Sequence, residues 1–295
     1  MLKIALPAGK SLEDWSLKLF EDSFLELERT GSKVLSREDM PGLYGNFVKP
    51  RRIPDLVFEG KYDVGITGMD VVLESGKRDQ LEICAELPFG RSTYCKTKGV
   101  IFVEALDPIK NVSEIPPDAE IFSEYPRLTY VYFASRRMFG VKIVASPGST
   151  EGEVPRNYRF GVCLSETGRS LRENNLRVLD TLFESSTVLI ANKALAADAL
   201  VGDSIRGLTR TLTGTFEART KVLVSMNVPV EKKEVILKML PSMRAPTITP
   251  LADPNFLSMS VVIPKSKVPI FSRILLKEGA EDIIVQPLLS VIPRW

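Results

Sequence analysis

Between Phe160 and Leu171 the chain reads Phe-Gly-Val-Cys-Leu-Ser-Glu-Thr-Gly-Arg-Ser-Leu, an apolar run that stops at hydroxyls, a glycine and an arginine. The pattern predicts a strand, a tight polar turn and the start of a helix. Backbone N–H groups at a helix start have no partner inside the helix, and the helix dipole favours negative charge there. Ser165, Thr167 and Ser170 add hydroxyls, Gly168 permits close backbone approach, and Arg169 adds a cation beside Glu166 and Leu171. Such a turn suits a phosphate. It is also a serviceable structural turn, with Thr167 or Ser170 as N-cap. The run by itself leaves both readings open.

The rest of the composition narrows the chemistry. There is no histidine in 295 residues, which removes Ser-His and Cys-His nucleophiles, histidine bases and histidine metal ligands. A reaction on this chain must rest on positioning, electrostatics and a carboxylate or lysine; transfer of a phosphorylated group with bound Mg²⁺ fits that restriction. The net charge of +2 is too small for bulk attraction to nucleic acid, so an anion must be held by a local cluster. Cys84, Cys95 and Cys163 are odd in number and lack metal-type spacing, which predicts free thiols and a cytoplasmic protein. The start, Met1 to Pro7, is too short for a signal peptide, and no apolar run is long enough to span a bilayer.

The elements that must position these residues alternate. Leu2 to Pro7 reads as a strand, followed by Ala8-Gly9-Lys10 and a helix whose capping pattern begins at Ser11. A second strand is expected near Gly45 to Lys49, a helix from Pro54 to Glu59, and a strand from Asp63 to Gly68 with Met69 to Glu74 helical beyond it. Further strands are expected over 94–104, near Ile121 and over Val141 to Ala145. A helix follows Pro126, and Phe183 to Ala191 reads as one more apolar strand. Strand, polar turn and helix in repetition predict parallel α/β construction. The stretch Thr209 to Arg219 reads as helix or linker. After it the order β-α-β-β-α-β, with Gly279 ending the last helix, predicts a ferredoxin-like module. Asp70 sits at a helix start and Glu124 at a strand end, where open α/β sheets bind ligands.

Four segments together resemble ATP phosphoribosyltransferase, the first enzyme of histidine biosynthesis: Leu6-Pro7-Ala8-Gly9-Lys10, Asp63 to Asp70, Ser123 to Thr129, and Glu166 to Asn174. Met226-Asn227-Val228-Pro229, Ala245-Pro246-Thr247 and Pro250 to Asp253 are similar to the regulatory domain of the family's long form. The resemblance implies two α/β lobes like type II periplasmic binding proteins, lobe I from 1–92 and 183–210 and lobe II from 93–182. It adds an ACT-like, ferredoxin-like domain over 216–295. It implies attack of adenine N1 of ATP on C1 of phosphoribosyl pyrophosphate, release of pyrophosphate with Mg²⁺ on it, inhibition by histidine, and a homo-oligomer, hexamer or dimer. Ser165, Glu166, Thr167, Gly168, Arg169, Ser170 and Leu171 would then hold the 5′-phosphate. Lys10 and Lys49 are candidates for the pyrophosphate, and Asp70 and Glu124 for substrate or metal.

The chain departs from the family pattern at several positions. Ala8 stands where a lysine is common, and Lys49 and Arg51 replace the usual Arg and Gln. Cys163 stands where an aspartate is expected, and a thiol cannot supply its charge. Either Glu166 or another acid takes over that role, or the activity is weakened or altered. A non-catalytic nucleotide or anion sensor, or a regulatory subunit for a catalytic partner, is the alternative reading.

Overall fold

A computed structural model describes residues 1–36, 42–87, 97–240 and 246–292. It divides into two compact units: 1–18 with 26–209, and 19–25 with 210–295. Residues 94–96 of the strand expected over 94–104, with Cys95 among them, and the family segment's Ala245 lie outside the described residues, as does the side chain of Ser11.

The first unit holds two sheets. The seven-stranded sheet is built from β1 (Leu2–Pro7), β2 (Leu27–Thr30), β3 (Lys33–Ser36), β4 (Leu43–Val48), β5 (Val64–Gly68), β6 (Leu81–Leu87) and, late in the chain, β12 (Thr187–Asn192). Its order is β2-β3-β4-β1-β5-β12-β6. β1 lies between β4 and β5, parallel to both, and Ile4, Ala5 and Leu6 are fully buried, as a central strand covered on both faces requires. α1 (Lys10–Asp22) follows β1; α2 (Ile53–Phe58) and α3 (Met69–Glu74) pack on the sheet, with Ile53 and Val57 of α2 sealed against Val188 and Ile190.

The sheet is mixed rather than parallel throughout: β3 pairs antiparallel with both β2 and β4, and β12 antiparallel with both β5 and β6. The hairpin of β2 and β3 escapes sequence reading because β2, Leu-Glu-Arg-Thr, is an exposed, charged edge with no apolar alternation. Glu13 reaches back to the Gly9 N–H (3.0 Å) and also pairs with Arg29 (2.6 Å). Those contacts hold the Glu13 carboxyl below its usual range, the Gly9 amide foremost.

The five-stranded sheet contains β7 (Thr97–Glu104), β8 (Glu120–Ser123), β9 (Lys142–Ala145), β10 (Phe160–Ser165) and β11 (Leu176–Ser185), in the order β11-β7-β10-β8-β9. α4 (Pro126–Ser135) packs Tyr132 and Phe133 into its core beside Ile121, Phe160 and Val162, and α5 (Arg169–Glu173) buries Leu171 against Cys163 and Phe102. The segment expected to be one strand from Phe183 to Ala191 is the junction of two: β11 ends in this sheet and β12 begins in the other. Two bulges, at Val178/Asp180 and Thr181/Phe183, break the alternation of β11 and hide it from a period-two reading.

Two helices follow, α6 (Lys193–Ala197) and α7 (Ala199–Arg219), so the polar stretch from Thr209 is helix and not linker. The second unit then runs β13 (Lys221–Pro229), α8 (Lys233–Met239), β14 (Thr247–Pro250), β15 (Phe256–Pro264), α9 (Val268–Lys277) and β16 (Glu281–Pro287). Its sheet order β14-β15-β13-β16, antiparallel at every pairing, is ferredoxin-like. Val222, Val224, Met226 and Val228 alternate inward from β13 onto Ile236 and Leu275 of the helices. Gly279, at φ 93, turns the chain out of α9.

Candidate functional site

Within the first unit a cavity of about 340 Å³ opens at strand ends from both sheets. Pro7 closes β1, Gly68 ends β5, Leu164 is near the end of β10, and Glu124 and Tyr125 follow β8; Lys49, Arg51, Thr67, Asp70 and Ser185 are among the other polar residues of the lining. Ligand crevices of α/β proteins lie beyond the carboxyl ends of strands, because the turns there are free of ladder bonds and lead into helix starts. Three sequence candidates, Lys49, Asp70 and Glu124, therefore meet in one cavity. Lys10 and the segment Ser165–Leu171 are outside its lining, although Leu164, directly before that segment, and Leu12, two residues past Lys10, belong to it.

Asp70 is 4% exposed. Its Oδ2 accepts from the Tyr125 hydroxyl at 2.7 Å and its Oδ1 from Ser185 Oγ at 2.6 Å, while its own N–H donates to Ser185 Oγ at 3.0 Å. A side chain at position 68 would put its Cβ 2.1 Å from Asp70 Oδ1, which is why glycine ends β5. The partners are neutral donors from the far sheet, so Asp70 joins the two sides of the cavity without a cation. Glu124 is held differently. Its Oε1 accepts from Thr150 Oγ1 (3.1 Å), Arg51 stands 3.8 Å from Oε2, and the Arg51 guanidinium also donates to the Glu124 carbonyl at 3.2 Å.

The turn after β10 differs from its expected cap. Gly168, in the left-handed region at φ 69, occupies the N-cap position of α5, and neither Thr167 nor Ser170 caps it by a side chain. A glycine takes that backbone conformation without the steric cost of a Cβ. Ser165 Oγ accepts from the Gly168 N–H at 3.1 Å and pins the turn. Arg169 pairs with Glu173 at 2.7 Å, but with the arginine 80% exposed the pair adds little and leaves the cation recruitable. Arg172 donates to the Thr167 carbonyl at 3.0 Å. The Leu171 side chain is in the core, so only its backbone can serve a ligand.

Glu151, which sequence reasoning did not select, accepts from Ser170 Oγ at 3.0 Å and from the Cys163 thiol. Burial pushes the Cys163 thiol far up, and the Glu151 and Glu124 carboxylates push it further, so position 163 is an inert neutral group. A carboxylate, that of Glu151, therefore stands beside Cys163. Its signal was the segment Gly148-Ser149-Thr150-Glu151, whose Ser149 takes the left-handed turn that starts a 3-10 turn at Thr150. Among the described residues no group of three or more Cys, Asp or Glu is close enough to hold a metal ion. None of their helices is long and apolar enough to cross a membrane.

Comparison with known proteins follows the same two units. A family model described as ATP phosphoribosyltransferase matches residues 49–214, and one described as HisG, C-terminal domain, matches 218–290. The chain is 33% identical over 292 residues to the ATP phosphoribosyltransferase of Pelotomaculum thermopropionicum, covering 99% of each. It is 29% identical over 298 residues to that of Methanocaldococcus jannaschii, covering 99% of this chain and 100% of the other. Among solved structures, the ATP phosphoribosyl transferase (HisG:HisZ) complex from Thermotoga maritima matches with a TM-score of 0.59 and 24% identity, over 72% of this chain and 97% of that one. That likeness shows the fold: two α/β sheets around a cleft.

Proposed function

The chain belongs to the ATP phosphoribosyltransferase family, and from that premise we propose how its cleft joins ATP to phosphoribosyl pyrophosphate. The reaction is a pentosyl transfer: adenine N1 of ATP forms a bond to C1 of the sugar, the C1–oxygen bond to pyrophosphate breaks, and phosphoribosyl-ATP and pyrophosphate leave. It requires no histidine, because the leaving group is already an anion and the nucleophile a ring nitrogen. The observation that carries the assignment is the meeting of Lys49, Asp70 and Glu124 at the strand ends beside the Ser165–Leu171 turn.

In this reading Ser165, Thr167, Ser170 and the backbone from Gly168 to Leu171 hold the 5′-phosphate, with Arg169 turning from Glu173 to the anion. Lys10 and Lys49 meet the pyrophosphate, and Glu166 lies at the loop's edge. Bound on the pyrophosphate, Mg²⁺ would supply charge neutralisation of the leaving group. A site with Asp70 already engaged and Glu124 beside Arg51 fits an ion that arrives on substrate oxygens and takes at most one or two protein carboxylates. Glu151 supplies negative charge beside Cys163, so the thiol there does not by itself favour a non-catalytic sensor.

The lobes are taken as 1–92 with 183–210, and 93–182. The module over 216–295 is assigned to histidine inhibition, and the active form to a cytoplasmic homo-oligomer, hexamer or dimer. Incubation with ATP, phosphoribosyl pyrophosphate and Mg²⁺, followed spectroscopically for phosphoribosyl-ATP, tests the activity. Binding of both substrates without product at high protein concentration would overturn it. Removal of residues from Thr220 onward is expected to abolish histidine inhibition; a folded, equally sensitive truncation would sink the regulatory assignment.

A further inference from the structure

Every donor at the start of α4 has an acceptor, and one acceptor comes from the other side of the cavity. The Tyr125 N–H donates to Ser123 Oγ (2.9 Å), Pro126 has no N–H, and the Thr129 N–H reaches the Tyr125 carbonyl (2.9 Å). The remaining first-turn amides, of Arg127 and Leu128, donate to the two carboxylate oxygens of Glu74, each at 2.9 Å. Tyr125, at the N-cap position, offers no side-chain cap of its own. Glu74 ends α3, four residues after Asp70, so the two carboxylates lie on one face of that helix. The Glu124–Leu128 segment is therefore gripped twice from the seven-stranded side, by Asp70 at the Tyr125 hydroxyl and by Glu74 at the helix start.

We propose that Glu74 is a positioning residue of the transferase. Its two-oxygen grip on the amides of α4 sets the reach and angle at which Glu124 and Tyr125 enter the cavity. A single hydrogen bond fixes a distance, whereas two parallel bonds from one planar carboxylate also fix an orientation. The negative charge at the helix start holds the contact while leaving α4 otherwise self-contained. Glu74 touches no reacting atom; it acts through the backbone that follows Glu124. The inference rests on the assignment of this cavity to the substrates.

The test is steady-state kinetics on the full-length chain with Glu74→Ala and Glu74→Gln, beside calorimetric binding of ATP and of phosphoribosyl pyrophosphate. Loss of both charge-assisted bonds is expected to raise KM and Kd for at least one substrate by about tenfold or more, with kcat within about twofold of the parent. Glu74→Gln keeps one acceptor and should fall between. Hydrogen exchange of the peptide holding Arg127 and Leu128 should quicken in Glu74→Ala, while peptides from β13 to β16 stay as they were. Unchanged KM and Kd in Glu74→Ala, or a fall in kcat at unchanged KM, overturns the proposal. A parent protein that makes no product fails the activity assignment instead, and the two Kd values then decide the role of Glu74.

Discussion

Two helix starts in the first unit look alike in sequence and differ in what meets them. Both α4 and α5 follow a buried strand through a turn that contains hydroxyls, and both carry an arginine in the first turn. α4 begins on a full negative charge, because Glu74 arrives from α3 to take its amides. α5 begins on the neutral Ser165 hydroxyl, in a left-handed glycine turn. A helix start already matched by a carboxylate has lost its attraction for a further anion; one matched by a hydroxyl keeps it. Local pattern nominates the start of α5 for a phosphate, and at the start of α4 a carboxylate distant in sequence already takes the amides.

The largest effect expected from breaking this contrast is at α5. The double change Thr167→Val and Ser170→Ala removes two hydroxyl contacts to a dianion, each worth about 1.5–3 kcal/mol. Affinity for phosphoribosyl pyrophosphate should fall about 100-fold or more by calorimetry, with little change in the melting temperature. Unchanged affinity would refute the loop assignment and erase the distinction between the two starts. A smaller effect belongs to α4. Tyr125→Phe strips the Oδ2 donor from the buried Asp70 and should cost about 1–3 kcal/mol in urea unfolding, because the carboxylate oxygen is left unmatched. A stability equal to the parent's would mean that water or another donor replaces the hydroxyl, and the Asp70 contact would not be what joins the sheets.

The smallest effect sharpens the contrast from outside both helices. Arg159 pairs with Asp107 at 2.7 Å and holds that carboxyl below its ordinary range, chiefly through the hydrogen bond it donates. Because the folded-state pKa is depressed, the stability it confers is present above the usual aspartate value and fades as pH drops through the folded one. Arg159→Ala should therefore cost about 1 kcal/mol or less near neutrality, a difference that shrinks below about pH 4, with substrate affinity untouched. A drop in substrate affinity would mean that Asp107 is coupled to the cleft.

How far the chain could be read without coordinates varied by kind of element. The buried strands β1, β5 and β10, the helices α2, α3 and α9 and the whole ferredoxin-like order are legible, since apolar periodicity and capping residues are local. The edge hairpin β2–β3 and the bulged strand β11 are not, because an exposed edge and a bulge both erase alternation. Site residues divide in the same way. Lys49, Asp70 and Glu124 announce themselves by type at element ends. Glu74 and Glu151 do not, because an ordinary surface glutamate and one that holds a residue distant in sequence carry the same letter.

By itself, then, the amino-acid order determined most of the buried elements, the ferredoxin-like order of the last module and the exclusion of imidazole chemistry, which follow from residue type, period and spacing. The family entered separately, through the resemblance of several short motifs in register. Only the tertiary structure decided which helix start a carboxylate already occupies, which hydroxyls Asp70 holds and which carboxylate stands beside Cys163. Those matters turn on distances between residues far apart in the chain, and hydrogen bonds act over ångströms with no memory of sequence separation.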